Sequence, residues 1–419
     1  MSLPPHSALP LPAHPSLERY RKLAKDLLKV SDDPAALRAW VEDWVTSVVR
    51  LSGIEITPQL PVSLSEWTDN ITAFAQETLS GNRHSLTHAQ FVLARAHGFS
   101  NWPQFAAHLL ALEQAASPQT RFEFAADAIV RGDAAALRQL LHEHPELIYA
   151  RSKREHHAML LHYTAANGVE GYRQKTPANI VEITEFLLQS GAEVDAEADL
   201  YGGGSATLML AATSGHPERA GVQNALLALL LNHGAKIDHN GRSTIAACLA
   251  NGRLQAAQFL AERGAHVGFA EAAALGRLDL IEAAFQLSQA EAPTAMEVYR
   301  AFLLACQYGQ LDAATILLAR GASLTATTRD GQTPLHLAAM SAAARLVQSL
   351  LRHKPSLEAQ NSYGGTPLSQ ALWSAAHGSH PERYLGVLEA LAEAGAQIPR
   401  SCQPISPAID AWLVQKRTR

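Results

Sequence analysis

The sequence has few of the features that mark disulfide-rich, membrane-spanning or nucleic-acid-binding proteins. It contains three cysteines, Cys248, Cys306 and Cys402, and their odd number and scattered apolar settings favour reduced thiols over a disulfide framework. The net charge of −5 offers no basic excess that would attract nucleic acid or an anionic membrane. No apolar run approaches the roughly 18 residues of a spanning helix, and the proline-rich start does not resemble a signal peptide. We therefore expect a cytoplasmic protein without nucleic-acid or membrane partners.

Sequence motifs typical of catalysis, phosphate binding or DNA binding are incomplete. There is no Gly-x-Ser-x-Gly elbow, and no lysine follows the glycine-rich stretch at 202–205. The spacing of Ala94, Gly98 and Ser100 fits a helix-turn-helix, but the helix that would read DNA, 101–114, has no Lys or Arg. The sequence therefore predicts no enzyme and no DNA-binding protein.

Histidines are frequent, 19 in all, but their spacing does not match a metal site. The densest group consists of His142, His144, His156, His157 and His162. His142 and His144 are two apart on a predicted helix and so point in different directions. We expect no metal ion and no cofactor.

The first part of the chain predicts a helical domain at residues 16–116. Residues 1–15, with five prolines, are expected to be an extended and poorly ordered lead-in. Five segments then show apolar residues at helical spacing. Four tryptophans in these segments are expected to belong to the core.

A short motif recurs in the second part. Residues Asp330–Ala339 read Asp-Gly-Gln-Thr-Pro-Leu-His-Leu-Ala-Ala: a turn, then Thr333 as a helix cap and Pro334 in the first helical position. Thr366 opens a second Thr-Pro-Leu 33 residues after Thr333. This motif and this period resemble the ankyrin repeat.

The resemblance implies a solenoid of about eight helix-turn-helix repeats at residues 121–399. A Gly or Ala seven residues after the motif leucine marks each first helix, and Gly-Ala pairs end most second helices. Insertions are expected within three repeats, at 169–179, 216–222 and 376–383. In family members the motif histidine, here His162 and His336, bonds backbone across the turn. Residues 400–419 are expected to cap the last repeat. The segment 85–108 also resembles the helical segment before the repeats of many bacterial ankyrin proteins.

An ankyrin solenoid implies non-catalytic binding of a protein partner through a concave surface. Side chains at hairpin tips and late in each first helix line that surface. The large or charged ones are expected to be exposed there and to contact the partner: Tyr201, Tyr308, Arg329, Met340, Tyr363 and Trp373.

Other functions stay open at this point. An enzyme or small-molecule binder could have its site between the N-terminal domain and the first repeats. A homodimer could use the same groove, although we expect a monomer. The short link between the domain and the first repeat, Gln114–Gln119, predicts that the N-terminal helices cover the end of the solenoid.

Overall fold

Two compact units, Met1–Ala256 and Ala257–Arg419, make up the chain. The computed structural model describes residues 3, 7–54, 60–114, 116–288 and 291–417. Within these ranges the only β-strands are two antiparallel two-residue segments, β1 Glu197–Ala198 and β2 Ser205–Ala206. None of the helices in these ranges is long and apolar enough to cross a membrane. The protein has the all-α fold that the sequence predicts.

Five helices form the N-terminal part of the first unit: α1 Leu17–Val30, α2 Pro34–Ser52, α3 Leu60–Thr78, α4 Leu86–Ala96 and α5 Trp102–Leu112. Side chains of Ser16, Asp33, Ser85 and Asn101 accept hydrogen bonds from the first turns of α1, α2, α4 and α5. These caps fix where each of the four helices begins. At the centre of the bundle the His97 and Phe105 rings stack face to face, and Tyr20 meets both edge to face.

The described part of the lead-in, residue 3 and residues 7–15, is held against the helices, unlike the poorly ordered segment expected. Leu9 is fully buried, and its N–H donates to the Ala96 carbonyl at 2.7 Å. The His97 Nδ1–H donates to the Leu9 carbonyl at 3.1 Å. Backbone pairing to the end of α4 therefore holds this part of the proline-rich segment. Residues 1, 2 and 4–6 lie outside the described residues.

The rest of the first unit consists of helical pairs: α6 Pro118–Arg131, α7 Ala134–Glu143, α8 Leu160–Tyr163, α9 Ile180–Gln189, α10 Thr207–Thr213, α11 Gly215–Arg219, α12 Gln223–Asn232 and α13 Thr244–Ala250. Single-turn 3₁₀ segments occur at Gly81–Arg83, Pro145–Tyr149 and Gly171–Arg173. Across the link into α6, the Thr120 hydroxyl donates to the Gln114 carbonyl at 3.0 Å; residue 115 lies outside the described residues. The boundary between the two units falls within α14, Leu254–Ala261.

The second unit continues the pairs: α15 Phe269–Leu275, α16 Leu278–Phe285, α17 Ala295–Gln307, α18 Leu311–Ala319, α19 Pro334–Met340, α20 Ala344–Leu351, α21 Pro367–His377 and α22 Leu385–Glu393, with a 3₁₀ turn at Pro381–Tyr384. Thr333 and Thr366 cap α19 and α21 as predicted. The first helices α17, α19 and α21 lie side by side. Their leucine and alanine faces form one apolar core.

The C-terminal segment folds back as helix α23, Pro407–Arg417. Ile409, Trp412 and Leu413 are buried in the core of the second unit. The Trp412 indole N–H and the Lys416 ammonium both bond to the Glu389 carboxylate at 2.5 Å. Residues 418 and 419 of the predicted capping tail lie outside the described residues.

Glycine in the left-handed conformation closes the second helices at the predicted Gly-Ala pairs, for example Gly321 at φ 94° and Gly395 at φ 99°. At the end of α20, Lys354-Pro355 stands in place of a Gly-Ala pair, and Lys354 itself takes φ 51°. A side chain at positive φ is strained, so this helix ends with the same geometry at a higher cost.

Candidate binding surfaces

Most of the residues predicted to contact a partner are in the second unit. Tyr363 is 80% exposed, Trp373 is 58% exposed, and Arg329 is also exposed. Met340 and Tyr308 are half-buried. We call these five residues the aromatic surface.

Met340 and Trp373 occupy equivalent positions. Each is the seventh residue of its helix, counted from the proline that opens α19 and α21. Because α19 and α21 lie side by side, the two residues belong to the same level of the stack. Tyr308 does not share this position, contrary to the expectation. Tyr308 directly follows the last residue of α17, the position that Ser341 has after α19, so it lies one residue beyond the position of Met340.

Trp373 is supported by its own helix. Its indole stacks on the His377 imidazole with ring centroids 4.3 Å apart and an angle of 23°. The insertion that follows α21 turns to the neighbouring repeat, where the Tyr384 hydroxyl donates to the Met340 carbonyl at 2.9 Å. Trp373 therefore keeps most of its indole accessible despite the insertion.

The hairpin that carries Tyr363 is fixed by a buried amide. The Asn361 side-chain oxygen accepts from the N–H groups of Tyr363 and Gly365 at 3.0 and 2.9 Å. The preceding hairpin packs tightly against it: a Cβ at Gly331, which has φ 73°, would lie 3.4 Å from the backbone of Asn361. The Tyr363 ring is thus presented on a rigid loop.

Tyr201 belongs to the first unit and not to the aromatic surface. It lies at the β1–β2 hairpin, is 63% exposed, and has φ 51°. Its hydroxyl donates to the Asn167 side chain at 2.6 Å. Tyr201 is therefore exposed but fixed by a neighbouring repeat.

The motif histidines bond as the resemblance implies. His336 Nδ1 accepts from the Thr333 N–H at 3.1 Å, and its Nε2–H donates to the Gly365 carbonyl of the next repeat at 2.9 Å. His162 does the same between the Met159 N–H and the Ala196 carbonyl. Burial lowers the pKa of His162 to about 4, which keeps this bridge neutral. In the described part of the chain, no three His, Cys, Asp or Glu side chains converge into a metal-binding group.

A buried ionic cluster in the first unit was missed by sequence reasoning. Arg154 Nη1 lies 2.6 Å from Glu123 Oε1 and 2.9 Å from Glu170 Oε1. Arg173 Nη1 lies 2.7 Å from Glu123 Oε2 and 3.4 Å from Glu170 Oε1. Glu170 is fully buried, and only 1% of Arg154 and 4% of Arg173 is exposed. We call these four residues the ionic cluster.

Electrostatics hold the ionic cluster in its charged state. Burial alone would raise the pKa of Glu123, but the guanidinium groups of Arg154 and Arg173 outweigh it and lower the pKa to about 2. The same two groups hold the pKa of Glu170 well below its usual range. The ionic cluster therefore contains two carboxylates and two guanidinium groups.

The four members of the ionic cluster come from three stretches of the sequence. Glu123 is on α6, Arg154 precedes α8, and Glu170 and Arg173 belong to the insertion predicted at 169–179. The signal that could have found two of them was a Glu and an Arg three residues apart, Glu170 and Arg173, in an insertion between two apolar helices.

The loop that carries Arg154 also contacts the N-terminal helices. The Arg154 guanidinium lies over the Phe99 ring at 5.6 Å, and the Glu155 N–H donates to the Gly98 carbonyl at 2.9 Å. Glu155 also pairs with the buried Arg95 of α4. The N-terminal helices and the first repeats are thus packed together within the first unit.

Comparison with known proteins identifies the repeats. A family model described as "Ankyrin repeats (3 copies)" matches residues 174–270 and 302–401. The match leaves out residues 121–173, which contain the first predicted repeat and the first helix of the second, and residues 271–301, which contain most of the short fifth repeat and its loop. No curated protein matches the chain. The chain is therefore an ankyrin-repeat protein, with its repeats identified over residues 174–270 and 302–401.

Proposed function

We propose that the protein is a non-catalytic binding protein, whose aromatic surface contacts a protein partner. Ankyrin repeats are generally protein–protein interaction modules, so a protein ligand is the natural expectation. The observation that carries the proposal is the exposure of two large aromatic side chains, Tyr363 and Trp373, on supported backbone. Exposed aromatic residues are enriched at interface centres and often contribute most of the binding energy.

The setting of these residues favours binding at low entropic cost. Asn361 fixes the backbone of the Tyr363 hairpin, and His377 stacks on the Trp373 indole, so the hairpin and the indole lose little freedom when a partner docks. Arg329 adds a guanidinium that can pair with a partner carboxylate. We propose that the protein acts as a monomer in the cytoplasm, where its three free thiols stay reduced.

The test begins with the partner. A photo-crosslinking amino acid placed at Tyr363 in the full chain, expressed in the native cell, should capture a protein that can then be purified. Trp373→Ala and Tyr363→Ala should each weaken binding to that protein by about thirtyfold, which corresponds to ~2 kcal/mol for an interface anchor. Titration calorimetry measures both affinities.

Two variants serve as controls. Phe124→Ala removes another exposed aromatic ring, 55% exposed and in the first unit, and should leave the affinity unchanged. Trp412→Ala removes a buried tryptophan of the second unit and should lower the melting temperature by several degrees, since such truncations cost about 3–5 kcal/mol. If Trp373→Ala lowers the melting temperature as Trp412→Ala does and leaves affinity unchanged, the aromatic surface is not the binding site.

A further inference from the structure

The sequence contains three Asn-Gly dipeptides, all in the first unit: Asn167-Gly168, Asn240-Gly241 and Asn251-Gly252. An asparagine that precedes a glycine is prone to deamidation, because the backbone nitrogen of a residue without a Cβ can reach the side-chain amide carbon. The reaction requires that this backbone N–H is free, that the side-chain amide can move, and that the surrounding chain leaves room. The three dipeptides differ in these respects.

Asn240 and Gly241 form the tip of a two-residue hairpin turn. The Arg242 N–H donates to the His239 carbonyl at 3.0 Å, and Asn240 and Gly241 have φ 53° and 70°, as in a type I′ turn. Both residues of the tip are exposed. A Cβ placed at Gly241 would meet nothing within 4 Å, and in the part of the chain that the structure describes the Gly241 N–H has no hydrogen-bond acceptor. The attacking nitrogen is therefore free, and the turn around it is unpacked.

The dipeptide Asn251-Gly252 is exposed as well, but it is held by the end of α13. The Gly252 N–H donates to the Leu249 carbonyl at 3.1 Å. The Asn251 side-chain amide donates to the Ala247 carbonyl at 2.9 Å. Both reacting groups are thus engaged in the cap of the helix.

The dipeptide Asn167-Gly168 is packed between repeats. The Asn167 side-chain amide donates to the Leu210 carbonyl and to the Thr213 hydroxyl, both at 2.9 Å. Its oxygen accepts from the Tyr201 hydroxyl at 2.6 Å. Gly168 is buried, and a Cβ there would lie 2.8 Å from a neighbouring side chain. This asparagine has neither a movable amide nor room.

We propose that Asn240 is a site of spontaneous deamidation. The Gly241 nitrogen forms a bond to Asn240 Cγ while the bond from Cγ to Nδ2 breaks, and ammonia leaves with the proton of the Gly241 amide. Water then opens the resulting succinimide at one of its two carbonyls, which gives aspartate or isoaspartate at position 240. Water is the only co-reactant.

The product places a negative charge against Glu197 of β1. The Asn240 amide donates to Glu197 Oε1 at 3.0 Å, and His239 Nε2 bonds to the same oxygen at 2.7 Å. These hydrogen bonds, from His239 and then from Asn240, lower the pKa of Glu197. Deamidation replaces one of the two donors by a second carboxylate, and like charges at this distance repel. The modification therefore weakens the contact between two neighbouring hairpins.

Peptide mapping by mass spectrometry follows all three asparagines in one experiment on the full chain. One sample is incubated folded in mildly alkaline buffer, where an amide nitrogen loses its proton more readily, and a parallel sample is incubated in urea. In the folded protein Asn240 should deamidate about tenfold faster than Asn251 or Asn167, because those two sites must first break hydrogen bonds. In urea the three rates should converge, since unfolding removes the structural difference.

Three results would overturn the proposal. The first is a folded protein in which Asn240 reacts no faster than the other two asparagines. The second is a folded protein in which none of the three reacts, although all react in urea. The third is the same advantage of Asn240 in urea, because the preference would then come from the flanking sequence and not from the exposed turn.

A variant tests the effect on the hairpin. Asn240→Asp imitates one product, so the backbone amides of residues 239–242 should lose part of their protection against hydrogen exchange, and adding Glu197→Gln should restore it. The matched control is Asn251→Asp, also exposed, which should leave the exchange of residues 239–242 unchanged. Exchange that stays at the wild-type rate in Asn240→Asp would overturn the inferred weakening of the contact with Glu197. These measurements do not depend on the aromatic surface, which lies in the other unit.

Discussion

Replacing Glu170 by Gln removes one of the two negative charges of the ionic cluster while keeping the shape of the side chain. Glu170 Oε1 lies 2.9 Å from Arg154, 3.4 Å from Arg173 and 3.5 Å from His156 Nε2. Without its charge, Arg154 keeps only Glu123 within the ionic cluster, while Arg173 keeps Glu123 and Asp127, which lies 2.8 Å from its Nη2. We expect the variant to fold less stably, because a buried charge that loses its partner is expensive.

The magnitude follows from burial. Removing one partner of a buried ion pair costs about 3–5 kcal/mol, and Glu170 is fully buried. Glu123 still pairs with both arginines, so we expect the lower end, about 3 kcal/mol. With a urea slope of about 3 kcal/mol per molar, the unfolding midpoint should fall by about 1 M. Urea titration by tryptophan fluorescence measures it, since four of the six tryptophans lie in the first unit.

A matched exposed pair provides the control. Glu182 pairs with Arg138 at 2.9 Å, and about half of each side chain is exposed. Glu182→Gln should change stability by no more than about 1 kcal/mol, as exposed pairs do. If Glu170→Gln shifts the unfolding midpoint no further than Glu182→Gln does, the ionic cluster does not stabilise the folded protein as we infer.

Further predictions concern the whole chain. Residues 120–419 alone should be less soluble or melt several degrees lower than the full chain; equal behaviour would show that the N-terminal helices are independent. Stability should fall as the pH drops below 6.5, because His97 is then protonated in the unfolded chain but not in the folded one, where burial lowers its pKa to about 3. It should fall further below 4.5, because Glu123 has a pKa of about 2 when folded. Each group contributes about 1.4 kcal/mol per pH unit, and melting temperatures unchanged between pH 7 and 4 would contradict this. A thiol reagent should modify only Cys402 in the native protein and all three cysteines after unfolding; three fast native thiols would contradict the burial of the other two. Lys354→Gly should stabilise the protein by about 1 kcal/mol in urea titration by relieving its positive φ; a loss of stability would contradict the strain.

The repeats could be predicted because their signals are local. A threonine cap, a proline in the first turn and a histidine three residues after the cap all act within one helical turn, as Thr333 and His336 show. Large side chains at hairpin tips were also predictable, and Tyr363 is exposed as expected.

What could not be predicted depends on partners distant in sequence. Leu9 is ordered by Ala96 and His97, nearly ninety residues away, and nothing in the lead-in itself indicates this. Glu170 is bonded to groups that arrive from other parts of the first unit. The position of Tyr308 was a different kind of error, because its offset can be read from the sequence: it lies six residues after Phe302, whereas Met340 and Trp373 lie five residues after Leu335 and Leu368.

The ionic cluster also bears on how this protein could be rearranged. In most repeat proteins each unit contacts only its neighbours, so single repeats can be deleted, duplicated or replaced by a consensus unit. Here an insertion in one repeat supplies Arg173, which pairs with Glu123 of the preceding repeat, and the Arg154 loop between them is bonded to the N-terminal helices. Trimming that insertion to a regular repeat would leave Glu123 and Arg154 as a single pair without Glu170 or Arg173. A chimera or consensus design should therefore transfer residues from α4 through the insertion as one block.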